Sequence, residues 1–422
     1  MRVLAVHNRY LHRGGEDVVF DTETRLLEQR GHDVTRFIVD NADVDGQHRV
    51  ALAMRTVWNP LTFSRVRAII RDNRPDVMHV HNILPLISPS VYAAAHQAGV
   101  PVVQTLHNFR LICPGALLLR DGKPCEECIR TLTPWPGVVH GCYRDDRAAT
   151  AVVSLMLTTH SLVGTWRRFI TRYIALSEFA VRKFVEAGWP AEQFDVHPNF
   201  LDADPGMRPP QSDQGYVLFV GRLSKEKGIG TLLEAWSRKH STATLKIVGS
   251  GPLMPADLHE RADIEWLGHQ PREQVLSLMR GAAFVVVPSE CYETSPLAIV
   301  EAFASGTPVI ASQLGAMAEM VQHGRTGWLF TSRNPTDLAR ILDVALRSPG
   351  KMAQMAAQAR LEFERRYTAD IHYQGIIRTY EEAIHGVSVH SQTVRIGTGA
   401  GPGSFRADAA ASAGTGPGHG TN

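Results

Sequence analysis

Two acids and two cations stand where chemistry could be done. Glu293 and Glu301 lie in one stretch, PSECYETSPLAIVEAFASGTPVIAS, from Pro288 to Ser312. An apolar strand precedes Glu293. A helix is expected from Pro296 to Ala304, with Ser295 as its N-cap and Pro296 at its first position, where proline needs no amide partner. Such a helix start offers unpaired amides and a positive dipole end to an anion. Glu293 would flank whatever the anion is attached to, and Glu301 could reach neutral hydroxyls. The plainer alternative is that both are solvated surface charges, the usual fate of glutamate. The apolar run after Glu301 weighs against it. The cations come from Gly221-Arg222-Leu223-Ser224-Lys225-Glu226-Lys227-Gly228, directly after a strand. Arginine suits bidentate contact with a phosphate and lysine acts as a point charge, so the two could converge on one anion. A charged surface turn is the alternative.

Weaker signals surround these. Gly14-Gly15, after the first strand, would let backbone amides approach a phosphate or sugar. Gly249-Ser250-Gly251 is a similar turn later in the chain. Neither is the spaced G-x-G-x-x-G dinucleotide fingerprint, and Asp40 at the end of the second strand does not replace it, so a Rossmann dehydrogenase is disfavoured. His107 ends a strand, where it could hydrogen-bond a substrate; a satisfied structural histidine is the alternative. Cys113, Cys125, Cys128 and Cys142 read C-x11-C-x2-C-x13-C. The C-x2-C turn has the half-site spacing of a structural zinc, and two further thiols complete a tetrahedron. A zinc site, reduced thiols and disulfides are the three states open to them; a reducing compartment favours zinc over disulfides. Cys291 stands alone and is expected only to pack.

These residues need a scaffold, and the pattern supplies one. The chain has 422 residues, 44% of them apolar and 20% charged, with a net charge of +2. That composition is globular, and it excludes collagen, a disulfide miniprotein and a chain built to neutralise nucleic-acid phosphates. Apolar stretches are strand-length, far short of the ~20 residues that span a bilayer. MRVLAVHNRY turns polar too soon for a signal peptide, so the cytoplasm is the expected compartment. Short apolar strands (Arg2–His7, His32–Val39, Asp76–Val80, Val100–Leu106) alternate with amphipathic helices (Glu16–Arg30, Ser88–Gln97). The pattern restarts after a Pro-rich stretch near 205–214. There the strands are Tyr216–Val220, Thr244–Val248, Ile264–Leu267, Ala283–Val287 and Val309–Ala311, with helices between them. Such alternation predicts two α/β domains with doubly wound parallel sheets. Ligands bind such sheets at the carboxyl edges of their strands, in the cleft between the domains. The stretch Ala148–Tyr173, with its apolar run and Trp166, Arg167, Arg168 and Arg172, reads as a domain helix with a basic face; contact with anionic lipid is the alternative. From 391 to 422 the Gly/Ala-rich composition predicts a disordered tail.

Taken together, the residues resemble one family. Glu293-x7-Glu301 within P-S-x3-E-x7-E-A-F-A-S-G-x-P-V-I-A-S, with G-R-L-S-K-E-K-G at Gly221, is similar to the retaining glycosyltransferases of family 4. HNRYLHRGGEDVVF at 7–20, DVMHVHNILPLISPSVY at 76–92 and VPVVQTLHNFRLICPGALLLRDGKPCEECI at 100–129 resemble a bacterial subgroup with a four-cysteine insert, acting on surface polysaccharides or natural products. The resemblance covers about residues 1–386. It implies a GT-B fold: an acceptor-side Rossmann-like domain over 1–204 with a cysteine-rich loop at 113–142, a donor-binding one over 215–367, and a helix at 368–386 packing back on the first. It implies that Arg222 and Lys227 hold a donor diphosphate and that Glu301 bonds the ribose. Glu293 and His107 would bond the sugar. Thr294, Ser295 and Leu297 would offer amides, Gly14, Gly15 and Gly249 backbone access, and Gln270 a contact to the base. It implies no catalytic metal; the cations and helix dipole take that role, and the Asp-x-Asp pairs at 43–45 and 202–204 read as surface acids. It further implies front-face attack, with the leaving phosphate oxygen taking the acceptor's proton. The expected partners are a nucleotide diphosphate sugar and a glycan, lipid-linked or small-molecule acceptor, with peripheral membrane contact and no nucleic acid. Two positions depart from the family pattern: Pro296 stands where many members carry Gly, and Asn108 where many carry Asp. The rivals are a phosphorylase-like or epimerase GT-B enzyme and a catalytically silent nucleotide-sugar-binding subunit.

Overall fold

The computed structural model describes residues 1–11, 13–44, 48–207, 215–254 and 261–386. The tail expected over 391–422, Asp45 of the first Asp-x-Asp pair, and most of the Pro-rich stretch at 208–214 lie outside the described residues.

Two six-stranded sheets carry the chain, each wholly parallel. In the first the order is Asp33–Asp40, Arg2–Arg9, Val77–Asn82, Val102–Leu106, Arg172–Ala175, Phe194–Val196. In the second it is Ile264–Gly268, Thr244–Val248, Tyr216–Val220, Phe284–Val287, Val309–Ser312, Gly327–Phe330. Helices cover both faces, so the strands are buried on both sides and read as apolar runs: Val3–Val6, Val217–Phe219 and Phe284–Val286 are almost wholly buried. These are the two Rossmann-like domains. In each sheet the winding reverses beside the domain's first strand, and the crevice for a ligand opens there. In the second sheet the reversal lies between Tyr216–Val220 and Phe284–Val287, the two strands that feed the Arg222 loop and the Glu293 loop.

Several elements, most of them short, are missing from the sequence reading. They include the helices Arg49–Val57 and Pro60–Asn73 and the strands Arg172–Ala175, Phe194–Val196 and Gly327–Phe330. A strand of three or four residues gives too few alternations to detect. The stretch 148–173 is not one helix with a basic face. Asp146 caps the helix Arg147–Val163 by accepting from the amides of Ala148 and Ala149, and Gly164, at φ 80°, ends it. Trp166 turns into the core and donates to the Leu157 carbonyl. Among the described residues no helix is long and apolar enough to cross a membrane.

The last helix, Ala369–His385, lies on the first sheet. Ile376, Tyr380 and Ala383 pack with Val3, Leu27, Val77, Val103 and Ile174. The two crossings between domains run side by side, since the Leu201 amide bonds the Tyr367 carbonyl at 3.0 Å and Leu201 bridges to Thr368.

Candidate active site

The Arg222 loop and the Glu293 loop meet. Lys227 Nζ lies 2.6 Å from Glu293 Oε1, joining motifs 66 residues apart, and Ser289 Oγ donates to the same oxygen at 2.8 Å. Burial alone would raise the Glu293 carboxyl; the lysine charge and the two hydrogen bonds outweigh it and hold the group below its ordinary value. The same pairing outweighs burial at Lys227 and keeps its ammonium protonated. Glu293 is thus an ionised carboxylate and Lys227 an ammonium. Arg222 is exposed beside them and makes no ion pair among the described residues. One cation of the expected clamp is held by a carboxylate, and the other is free to meet a ligand.

The turn that carries these cations is packed backbone to backbone. Gly249 sits at φ 138°, and a Cβ there would stand 1.9 Å from the Gly221 carbonyl oxygen. The Leu223 amide donates to the Ser250 carbonyl at 2.9 Å. The Gly249-Ser250-Gly251 turn therefore has a structural duty: it props the Arg222 loop. Gly228, at φ 70°, has no room either, with the Pro288 carbonyl 1.9 Å from a Cβ position. Gln270 turns back on its own loop, donating Nε2 to the Leu267 carbonyl at 2.5 Å.

Ser295 is not the helix cap. The helix runs Leu297–Ala304 with Pro296 in the cap position. The Ser295 hydroxyl accepts from the Asn199 amide at 3.1 Å, and its carbonyl accepts from Asn199 Nδ2 at 2.7 Å. A tie to the interdomain crossing has taken the side chain that would otherwise cap. Glu301, within that helix, faces Arg272, with Nε 3.4 Å from Oε1; burial still raises its carboxyl above the ordinary value. The second Asp-x-Asp pair is at the surface as expected, and its acids are ion-paired there: Asp202 with Arg25 and Arg272, Asp204 with Arg360.

The first domain closes over this loop. A Cβ on Gly15 would lie 3.7 Å from Leu297 Cδ1, so the starts of the Gly14–Gly15 helix and of the Leu297 helix face each other. Thr294 Oγ1 donates to the His107 carbonyl at 2.8 Å. Asn108 donates Nδ2 to Glu16 Oε1 at 2.7 Å, and Tyr10 donates its hydroxyl to the other oxygen. Burial raises the Glu16 carboxyl, and these two donors lower it in part. An aspartate at 108 would set two carboxylates together here, which gives the Asn108 departure a physical reason.

Behind His107 runs a network that sequence reasoning missed. Glu23 is buried, and its oxygens are met by His81 Nε2 at 3.2 Å, His79 Nδ1 at 3.0 Å and His372 Nε2 at 3.0 Å. Burial acts to raise this carboxyl, but the surrounding histidines hold it well below its ordinary value, so it is ionised. His81 Nδ1 lies 2.9 Å from His107 Nε2. Burial pushes His81 down to about 4 and His107 well down, so both rings are neutral at pH 7. The protons then have one order. Ionised Glu23 accepts from His81 Nε2, His81 Nδ1 accepts from His107 Nε2, and His107 keeps Nδ1 as a bare acceptor. The signal was present in the histidine-rich strand Val77–Asn82; what it lacked was Glu23, 58 residues away from His81.

Two facing Rossmann-like domains with a loop-borne cation, an ionised carboxylate and opposed helix starts form the GT-B arrangement. The model described as "Glycosyl transferases group 1" matches residues 204–362, and that described as "Glycosyltransferase Family 4" matches 13–205. The D-inositol 3-phosphate glycosyltransferase of Rhodococcus erythropolis is 31% identical over 333 residues, 74% of this chain and 68% of that protein. An uncharacterized glycosyltransferase of Methanocaldococcus jannaschii is 30% identical over 182 residues, and the chain spans 46% of its length. The crystal structure of Anabaena HepE in complex with UDP matches with a TM-score of 0.65 at 20% identity, covering 90% of this chain and 100% of that one; the likeness is one of fold. The chain belongs to the group 1 and family 4 glycosyltransferases.

Proposed function

We propose that the protein is a retaining glycosyltransferase that moves a sugar from a nucleotide diphosphate sugar to an acceptor hydroxyl, without a catalytic metal. The observation that carries this reading is the Lys227–Glu293 pair, beside free Arg222 and under the facing Gly15 and Leu297. A diphosphate carries more negative charge than one carboxylate, so it competes for Lys227 and releases Glu293 to a sugar hydroxyl. Arg222 and the helix start add to the charge that meets the leaving group. His107 Nδ1 accepts from a second sugar hydroxyl. The bond from the anomeric carbon to the diphosphate oxygen breaks as the acceptor oxygen bonds that carbon on the same face. The acceptor's proton passes to the leaving phosphate oxygen. The relative named for D-inositol 3-phosphate supports a small phosphorylated or polyol acceptor, and HepE's complex with UDP makes uracil the first base to try. Val50, Met54 and Trp58, with Leu155, Leu162 and Val163, are exposed apolar residues on the first domain, and support acceptor delivery at a lipid surface.

Calorimetric titration of UDP, GDP, dTDP, ADP and CMP with EDTA present tests the donor site. One diphosphate is expected to bind wild type and to lose affinity in Arg222→Ala. Glu293→Gln is expected to keep that binding and to lower turnover about 100-fold or more, because it removes a contact made to the reacting sugar. No binding by any diphosphate would end this reading and leave the family likeness as one of fold.

A further inference from the structure

The four cysteines enclose one space. Cys113, Cys125, Cys128 and Cys142 line a cavity of about 10 Å³, together with Pro114, Leu119, Arg120, Pro136 and Gly137. That is room for one water-sized body, and four of the lining groups are sulfurs. No pair among them is a disulfide. The chain brings them together with short-range devices. The hairpin of Leu119–Arg120 and Lys123–Pro124 leads straight into Cys125, whose amide bonds the Leu118 carbonyl at 2.8 Å. The C-E-E-C segment closes as a turn, with the Ile129 amide on the Glu126 carbonyl. The Cβ position of Gly115 lies 3.4 Å from Cys142 Cβ and 3.7 Å from Cys113 Sγ.

Backbone amides also meet two of the sulfurs. The amides of Gly115, Ala116 and Leu118 bond to Cys113, and that of Gly137 bonds to Cys128. Burial outweighs these amides and raises both thiols, so a metal would displace their protons as it binds. Arg120, on the wall, is paired with Glu127 at 2.5 and 2.6 Å. The sulfurs line the space more loosely than the donor atoms of Glu23, His79 and His81, which lie within 4.8 Å of one another. Those donors, however, are already spent on hydrogen bonds. An ion among the cysteines would draw the sulfurs inward.

The turn between the two central cysteines reaches the second domain. Glu126 accepts from Tyr292 Oη at 2.8 Å and is paired with Lys183 Nζ at 2.9 Å. Tyr292 immediately precedes Glu293 and leans on Phe179, centroids 4.7 Å apart.

We propose that Cys113, Cys125, Cys128 and Cys142 bind one zinc ion as a closed four-thiolate site, and that this ion, through Glu126 and Tyr292, holds the loop that carries Glu293. Four thiolates leave no open coordination position, so the ion is structural. It fixes the C-E-E-C turn, and the turn fixes the tyrosine. This does not rest on the donor-sugar reading.

Metal analysis of the full chain, purified under reducing conditions without a metal-affinity step, tests the site. One zinc per chain is expected in wild type and in Cys291→Ser, and its loss in Cys128→Ser. Zinc-free wild type with five titratable thiols, or a mass showing disulfides, overturns the site. If Cys128→Ser does not fold, wild type is stripped by chelator and reloaded with Co²⁺. A thiolate-to-cobalt charge-transfer band is expected, and its absence overturns the proposal. Hydrogen exchange over residues 288–296 tests the brace without needing any substrate. Exchange is expected to quicken on stripping zinc and in Glu126→Gln, which should keep its zinc. Unchanged exchange in this segment overturns the brace and leaves the metal site standing on its own readout.

Discussion

At the residue scale, the proton order in the Glu23–His81–His107 chain decides what His107 offers to the cleft. It also couples stability to pH. His81 and His197, each held near 4 chiefly by burial, stay neutral in the fold while the unfolded chain takes up protons below its ordinary value of about 6.5. A depressed histidine therefore costs stability as pH falls from about 6.5 toward 4, at up to about 1.4 kcal/mol per pH unit for each group. Glu23 acts in the same direction at lower pH, because its depressed carboxyl contributes stability that is lost as it protonates. Glu16, raised by burial, acts oppositely and gains as pH falls through its own range. The depressed histidines, His107 among them, outweigh the raised acids Glu16 and Glu301 between pH 6.5 and 5. Urea denaturation at pH 7.5 and 5.0 should give a clearly lower unfolding free energy at 5.0, and His81→Gln should flatten that slope. An equal stability at both values would mean that the rings are charged in the fold.

At the scale of elements, the Arg222 loop depends on a neighbour with no side chain. The 138° φ of Gly249 and its contact with the Gly221 carbonyl leave no place for a Cβ. Gly249→Ala must shift either turn, and it should cost about 1–3 kcal/mol by combining strain with a backbone clash. Because the turn it moves carries Arg222, nucleotide affinity should fall together with the melting temperature. Gly230→Ala, in a helix with open space around its Cβ position, should be neutral or slightly stabilising in the same thermal assay. An unchanged melting temperature in Gly249→Ala would show that the two turns are not in contact. The Leu297 helix teaches the same dependence from another side. Its expected cap, Ser295, serves the crossing at Asn199, so the start of this helix moves with the tie between the domains.

At the scale of the molecule, the chain's last helix belongs to its first domain. Tyr380 is fully buried, its hydroxyl 2.7 Å from His79 Nδ1, and His372 completes the shell of Glu23 across 349 residues of sequence. Tyr380→Ala should therefore cost about 3–5 kcal/mol. The loss should fall on the amino-terminal domain, where denaturant-dependent hydrogen exchange over the strands Arg2–Arg9 and Val77–Asn82 reads it. Loss of protection confined to residues 369–385 would mean that the helix docks without supporting the sheet. The two crossings between the domains lie side by side at Leu201 and Thr368. Thr294–His107, Tyr292–Glu126 and the Glu319 carboxylate on the amides of Glu178 and Phe179 join the domains as well.

The local pattern of the chain determined most of the elements. Tyr216–Val220 and Thr244–Val248 have the bounds that their apolar runs predict, and the helix between them, Ile229–Arg238, follows from periodicity and turn residues. It determined which loops carry cations and acids, because a loop's residues are contiguous. It did not determine partners. Lys227 and Glu293 read as separate motifs and became one ion pair, because their strands lie side by side at the point where the second sheet reverses. His107 read as a lone histidine and became the end of a chain rooted in Glu23. Ser295 read as a cap and became a tie. Hydrogen-bond geometry reaches only about 3 Å. Which side chains come that close depends on sheet order and domain docking, and these the tertiary structure decided.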